Sequence, residues 1–225
     1  MHYRCEAASI AGFIQQLAVS YVRHGYWFYV AGRVPAHKDP WAVDAKLIDR
    51  YDIDISKWSR ARRKRAGQAN LQYLRHERFF VLLATHGQHR FFENESNVIR
   101  DIRRVPLKYG GYAVSFRNGH ASVRIDRETY RELKAYYVER AAHRPPNVLA
   151  GELTRLPFEP YAPVRRQLLN LLRHVNDVRQ RAGLETLPTT CLRFKRKVYQ
   201  PFQYTQKLRD GTHAVFTHAA PESSI

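Results

Sequence analysis

The stretch that decides the fold is Gly111-Tyr-Ala-Val-Ser-Phe-Arg-Asn-Gly-His-Ala-Ser-Val-Arg-Ile125. Asn118-Gly119 separates two segments, 111–117 and 121–125, in which apolar and polar residues largely alternate. Asn-Gly between alternating segments indicates a tight hairpin, because both residues tolerate the positive φ that a type I′ turn requires. The sequence therefore predicts two antiparallel strands, with His120 near the tip of the turn.

Two other segments have the composition of buried strands. Residues 26–31 begin Tyr-Trp-Phe-Tyr-Val, and residues 79–85 are Phe-Phe-Val-Leu-Leu-Ala-Thr. Aromatic and β-branched residues are enriched in strands, where they pack well on a pleated surface. Together with the hairpin strands near 111–117 and 121–125, these segments predict a largely antiparallel sheet.

Helices are predicted between and after these strands. Apolar residues recur at intervals of three and four over residues 8–24 and 164–182, and residues 126–140 are also predicted to be helical. Asp39, which precedes a proline, and Ser56 are suitable N-cap residues for two shorter helices. An antiparallel sheet covered by helices, with a helical C-terminal part, is an α+β fold.

A proline-rich segment divides the chain. We expect residues 1–144 to form an α+β core that includes the basic segment described below. Residues 145–163 are expected to be a rigid connector, because proline fixes φ. Residues 164–225 are expected to hold a helix, a basic extended arm and a frayed tail that begins near His213.

The chain combines a large positive charge with a composition typical of folded proteins. It has 38 Lys and Arg against 20 Asp and Glu, a formal net charge of +18, and 12% aromatic residues. A disordered basic protein is poor in aromatics. The cations therefore belong to a folded body, and such a body is suited to a polyanion, above all DNA or RNA.

The sequence gives no sign of export or of membrane insertion. Cys5 and Cys191 stand far apart, which excludes a disulfide scaffold and a cysteine-rich zinc site. No apolar run approaches the ~18 residues of a membrane span, and the first residues do not predict a signal peptide. We expect a cytoplasmic protein without a membrane partner, associated with the nucleoid or bound in a ribonucleoprotein.

The strongest functional signal is a basic run, Ser56-Lys-Trp-Ser-Arg-Ala-Arg-Arg-Lys-Arg65. No acidic residue occurs between Ser56 and Leu74, whereas an ordinary solvated helix face mixes both signs. Contacts to phosphates would give an affinity that depends strongly on salt. The predicted nucleic-acid contacts of this run are Lys57, Arg60, Arg62, Arg63, Lys64 and Arg65.

Two further segments are candidate contacts. In the segment 193–199, Arg-Phe-Lys-Arg-Lys-Val-Tyr, aromatic residues are interleaved with cations, so that bases can stack while phosphates are neutralised. An ordinary strand with one charged face explains the same pattern equally well. The predicted contacts here are Arg193, Phe194, Lys195, Arg196 and Lys197. Arg103 and Arg104 belong to a third basic patch.

The histidines suggest a metal site. His86 and His89 follow the strand at 79–85, with two glutamates soon after, and His120 can approach if the hairpin packs beside that strand. Imidazole and carboxylate ligands suit Mn²⁺, Mg²⁺ or Zn²⁺. A divalent metal is therefore a candidate cofactor, although a polar loop beside a turn glycine explains His86 and His89 as well.

A candidate nucleophile lies on the helix predicted at 126–140. Tyr130 and Lys134 are four residues apart and hence share one face. A tyrosine beside a lysine can attack a phosphate and form a phosphotyrosine link. The alternative is that Tyr130 is an ordinary packing residue.

This order of a histidine pair after a strand and a tyrosine on a later helix resembles the pattern of the HUH endonucleases. That family includes rolling-circle replication initiators and single-strand transposases. The resemblance covers residues 79–137 and implies an antiparallel sheet with helices, a metal at His86 and His89, and Tyr130 as the nucleophile. In that family one hydrophobic residue separates the two histidines. Here two residues, neither of them bulky and apolar, stand between them.

Three functions remain open at this point. The first is an accessory nucleic-acid-binding protein that grips phosphates through segments 57–65 and 193–197. The second is a metal-dependent DNA- or RNA-processing enzyme that uses His86, His89 and Tyr130. The third is a component of a ribonucleoprotein or DNA complex, in contact with other proteins. The P-loop, Rossmann, Gly-x-Ser-x-Gly and His-Glu-x-x-His motifs are absent from the sequence.

Overall fold

A computed structural model describes residues 3–202 and confirms the α+β fold. Its helices are α1 Ile10–Gln15, α2 Pro40–Arg50, α3 Lys57–Arg65, α4 Arg90–Asn94, α5 Arg127–Arg140, α6 Pro146–Thr154 and α7 Ala162–Arg181. A π-helical segment, Gln16–Tyr21, and a 3-10 turn, Val22–His24, extend α1. A second 3-10 turn is Thr189–Cys191. The predicted tail from His213 lies outside the described residues.

The strands are β1 Phe28–Arg33, β2 Leu71–His76, β3 Phe79–Ala84, β4 Arg100–Asp101, β5 Leu107–Tyr109, β6 Tyr112–Arg117 and β7 His120–Ile125. They form two antiparallel sheets, with the orders β2-β3-β1-β4 and β5-β6-β7. All four predicted strands form, but they are divided between the two sheets. No helix in the described part of the chain is long and apolar enough to cross a membrane.

The predicted hairpin joins β6 to β7. Asn118 and Gly119 have φ of 50° and 81°, as a tight turn of this kind requires. Arg117 pairs directly with His120 across the turn. The strongest local signal in the sequence therefore gives the expected local structure.

The four-stranded sheet is buried on both faces. Successive side chains of a strand point to opposite faces, and β3 supplies both. Val81 and Leu83 belong to a large apolar cluster that also contains residues of α1, the three-stranded sheet and α5 to α7. Leu82 and Ala84 belong to a smaller cluster with Tyr51 and other residues. This two-sided burial explains why β3 is almost entirely apolar.

The sequence did not predict β2. This strand is buried throughout, although three of its six residues are polar. Its polar side chains have distant partners: Gln72 accepts a hydrogen bond from Tyr3, Arg75 donates to Asp44, and His76 is hydrogen-bonded to Tyr109. Burial of the polar groups is tolerable because these partners satisfy their hydrogen bonds. The polar residues interrupt the apolar pattern by which a buried strand is recognised in a sequence.

The proline-rich segment at 145–163 contains a helix as well as a connection. Pro146 occupies the first turn of α6, where the missing N–H of proline is no loss. Leu149 and Leu153 of this helix are buried in the large cluster, together with Leu171 of α7. One apolar cluster therefore includes residues on both sides of 145–163, and the three-part division of the chain stays a prediction.

Candidate nucleic-acid interface

The basic run forms α3, and local signals define both ends of this helix. The Ser56 side chain accepts a hydrogen bond from the N–H of Ser59 at 3.1 Å. At the other end Gly67 has a φ of 70°, and its N–H donates to the carbonyl of Lys64 at 3.2 Å. Cations in the last turn also interact favourably with the helix dipole. The basic run is therefore part of the folded body, as expected.

Two of its arginines anchor the helix. The Arg60 guanidinium donates to the carbonyl of Ile53 at 3.2 Å. Arg63 donates to the carbonyl of Asp52 at 3.2 Å and lies 3.7 Å from its carboxylate. Asn70 donates from its side chain to the carbonyl of Arg60 at 3.0 Å. Arg60 and Arg63 were predicted to contact nucleic acid; in the structure their side chains bind the helix to the rest of the protein, and the contact with nucleic acid stays a prediction.

The other four cations of α3 lie on its outer face. Within residues 3–202, none of their side chains forms an ion pair or a hydrogen bond, and all are exposed. They are Lys57, Arg62, Lys64 and Arg65. We call these four cations, together with the exposed side chain of Trp58, the outer face of α3. This surface can offer its full positive charge to a ligand.

A loop after β3 braces the C-terminal end of α3. The N–H of Gln88 donates to the carbonyl of Gly67 at 3.0 Å, and the N–H of Ala69 donates to the carbonyl of Gln88 at 3.0 Å. Gly87 permits this approach, because a Cβ there would lie 2.5 Å from the backbone nitrogen of Ala69. The loop that carries the histidine pair therefore touches the end of the basic helix.

The second basic segment lies extended along the protein surface and is held by the buried carboxylate of Glu159 and by two hydrogen bonds between Gln15 and the backbone of Tyr199. Glu159 is 3% exposed. It accepts hydrogen bonds from the N–H of Lys197 at 3.0 Å and from the hydroxyl of Tyr199 at 2.7 Å. Arg193 approaches the same carboxylate at 3.5 Å. Arg193 is thus an anchor as well, and burial of Glu159 is compensated by three donors.

The remaining residues of this segment face outward. Phe194 is 40% exposed. The Arg196 guanidinium lies 4.9 Å from the centre of the Tyr161 ring. The side chains of Lys195 and Lys197 have no hydrogen-bond or ion-pair partner among residues 3–202. The segment therefore presents an aromatic ring and free cations from a fixed backbone.

Of the third patch, one arginine is engaged and one is free. Arg103 pairs with Asp101 at 2.7 Å, and its guanidinium lies 4.6 Å from the centre of the Trp27 ring. Arg104 is exposed and forms no ion pair in the described part of the chain. Of these two arginines, Arg104 is the one without an ion-pair partner among residues 3–202.

The three histidines have separate environments. His86 is exposed after β3, whereas His120 begins β7 in the other sheet. His89 caps α4, since its Nδ1 accepts the N–H of Phe91 at 3.1 Å. Burial lowers the pKa of His89, and the nearby Arg63 and Arg90 add to this effect. Over residues 3–202, no group of three or more His, Cys, Asp or Glu side chains is placed to hold a metal ion.

Tyr130 does not have the surroundings of an activated nucleophile. Its hydroxyl donates to the carbonyl of Gln167 in α7 at 3.1 Å. Burial raises the pKa of Tyr130, which disfavours the phenolate. Lys134 is half-buried one turn later. The metal-dependent enzyme and its resemblance to the HUH endonucleases stay predictions, without support from this geometry.

Comparison with protein-family models and with curated protein sequences finds no match to this chain. Function must therefore be inferred from the chemistry of the site. Two residues of that site had no assigned role in the sequence. Trp58 could have been found as the single large apolar residue in a cationic helix. Nothing in the local sequence indicates the role of Glu159, because its three donors come from a segment that is distant in the chain.

Proposed function

We propose that this protein binds nucleic acid, gripping the phosphate backbone through the outer face of α3. It would act in the cytoplasm as an accessory protein or as a component of a ribonucleoprotein or DNA complex. The observation that carries the proposal is the set of four exposed cations on one short helix that have no partner among residues 3–202, with no acidic residue between Ser56 and Leu74.

A repeating anion suits this surface better than a single charged group. An α-helix rises ~1.5 Å per residue, so the nine residues of α3 span about 14 Å. Cations spread over that length can contact several successive phosphates, and each contact releases condensed counterions. Because Arg60 and Arg63 already hold the helix in place, binding needs to order only the ends of the free side chains.

The segment 193–199 supports a second grip. Its cations Lys195 and Lys197 have no partner in the described part of the chain, and Phe194 is 40% exposed beside them. An aromatic ring next to cations suits a strand whose bases stack while its phosphates are neutralised. Glu159 holds the backbone of this segment, which again lowers the entropy cost of binding.

Matched charge variants test the proposal. The first variant changes Lys57, Arg62, Lys64 and Arg65 to Gln, and the control changes four exposed arginines of α7 to Gln: Arg165, Arg166, Arg173 and Arg181. Both lose the same charge. In fluorescence polarisation with labelled oligonucleotides at moderate salt, we expect the α3 variant to bind on the order of 10- to 100-fold more weakly. The control should bind like the wild type. Equal affinity of the two variants would refute the proposal.

Purification with and without nuclease separates the two forms of the proposal. A permanent component of a nucleoprotein complex carries nucleic acid through purification, which raises the ratio of absorbance at the nucleic-acid band to that at the protein band. Nuclease treatment then lowers this ratio. A transient accessory protein gives the same low ratio with either treatment.

A further inference from the structure

Trp58 is the most exposed tryptophan in the described part of the chain. Its side chain is 84% exposed, whereas Trp41 is 54% exposed. Trp27 is half-buried, donates its indole N–H to the carbonyl of Val22 at 3.2 Å and lies against Phe116 with 5.0 Å between the rings. Trp41 lies under the guanidinium of Arg75 at 5.1 Å. Trp58 has no ring, cation or hydrogen-bond contact with any residue from 3 to 202.

The position of Trp58 within α3 connects it to the free cations. Residues at i, i+4 and i+7 share one helix face, and Trp58, Arg62 and Arg65 have this spacing. Ala61, which is also exposed, lies beside them, and its small side chain does not crowd the indole. The indole ring is therefore largely exposed, and positive charge lies within one or two turns.

The ligand that fits this arrangement carries negative charge along its length and flat rings beside that charge. We propose that Trp58 is a stacking platform for an unpaired base, so that α3 prefers single-stranded nucleic acid to a duplex. This inference rests on the proposed function, which supplies the phosphate contacts. Every base has a π face, so stacking of this kind does not depend on sequence.

A duplex does not offer the same contact. Its bases already stack on each other, and an indole can reach a base face only by insertion, at a cost of a few kcal/mol for each unstacked step. A membrane surface is also a poor match, because such helices need a continuous apolar face. In α3, Trp58 is the single large apolar residue among nine. Unpaired strands, loops and ends present both the phosphates and the free base faces.

The test compares two tryptophan variants on two ligands. Wild type, Trp58→Leu and Trp41→Leu are titrated with a labelled oligoadenylate of roughly 12 nucleotides and with a duplex of the same length. We expect the wild type to prefer the single strand. Trp58→Leu should lose about 5- to 150-fold in affinity for the single strand, while the slope of log affinity against log salt stays unchanged. Trp41→Leu should bind like the wild type.

Tryptophan fluorescence gives an independent readout. Stacking of adenine on an indole quenches its emission, so saturation with the single strand should quench the wild type and Trp41→Leu. Trp58→Phe should lose this quenching and keep part of the affinity, since a phenyl ring still stacks. Quenching that persists in Trp58→Phe would overturn the inference.

The outcomes distinguish this inference from the proposed function. If the wild type binds with a steep salt dependence but Trp58→Leu binds equally well, the stacking role is refuted and the phosphate grip stands. Equal affinity of the wild type for the single strand and the duplex refutes the inference in the same way. If polyaspartate binds as tightly as the oligonucleotide, both proposals fall, and the surface is suited to an acidic protein instead.

Discussion

Replacement of Gly87 by alanine tests the brace that holds the C-terminal end of α3. Gly87 has a φ of 137°, and a Cβ there would lie 2.5 Å from the Ala69 nitrogen, 2.6 Å from the Gln68 carbonyl carbon and 2.7 Å from the Gly67 oxygen. All three are backbone atoms, which cannot move aside as a flexible side chain can. The loop must therefore separate from the end of α3.

The expected size of the effect follows from a matched control. Gly67 also has a positive φ, of 70°, but a Cβ there would meet no atom within 4 Å. Gly67→Ala should thus lower the free energy of unfolding by about 1 kcal/mol, from backbone strain alone. Gly87→Ala adds the loss of two hydrogen bonds between the loop and the segment after α3, each worth ~0.5–1.5 kcal/mol. Its total loss should be about 2–4 kcal/mol.

Urea unfolding of the two variants measures these free energies. The m value should stay the same, because the surface exposed on unfolding is unchanged. Hydrogen exchange at the amides of Ala69 and Gln88 gives a local readout, and protection should disappear in Gly87→Ala. If the free energies of unfolding of the two variants differ by less than about 1 kcal/mol, the loop does not approach the end of α3 as closely as described.

Three other changes have definite expected results. Asp44→Asn removes the negative charge that the buried guanidinium of Arg75 pairs with at 2.9 Å. Urea unfolding should show that the free energy of unfolding falls by about 3–5 kcal/mol. A fall below about 1 kcal/mol would contradict the role of this pair. Burial holds the pKa of His89 below its ordinary value of 6.5, so its contribution to stability is complete above that pH and is lost as the pH falls through the lowered value. His89→Asn should flatten the fall in stability below about pH 6.5, and parallel curves for variant and wild type would exclude this origin. Glu159→Gln weakens the hold on segment 193–199, so trypsin should cleave there about tenfold faster; an unchanged cleavage rate would show that other contacts hold the segment.

The fold could be predicted where short-range signals decide the structure. The hairpin at Asn118-Gly119 and the helix capped by Ser56 depend on residues within a few positions of each other. β2 could not be found in this way, because its buried polar residues depend on distant partners. Arg75 meets Asp44, which is 31 positions away, and Gln72 meets Tyr3, which is 69 positions away. Such pairs become visible only when the chain has folded.

The same distinction applies to the candidate site. The basic helix could be located from its run of cations and its Ser56 cap, but the division between anchoring and free cations could not be predicted. Arg60 and Arg63 are anchors because the carbonyls of Ile53 and Asp52 lie within reach, and this depends on the path of the preceding loop. Arg193 is held in the same manner through contacts with a distant segment. A count of Lys and Arg residues therefore overestimates the number of cations that are available to a ligand.

The salt dependence of binding tests the central claim most directly. Log affinity for a single-stranded oligonucleotide is measured against log salt for the wild type, for the variant with four glutamines in α3 and for its equal-charge control in α7. If the outer face of α3 contacts phosphates, the slope of the α3 variant should be shallower by up to about 3, since each phosphate contact contributes ~0.7 on a single strand. The slope of the α7 control should equal that of the wild type. An equal change of slope in both variants would show that net charge alone attracts the nucleic acid and that α3 is not the interface.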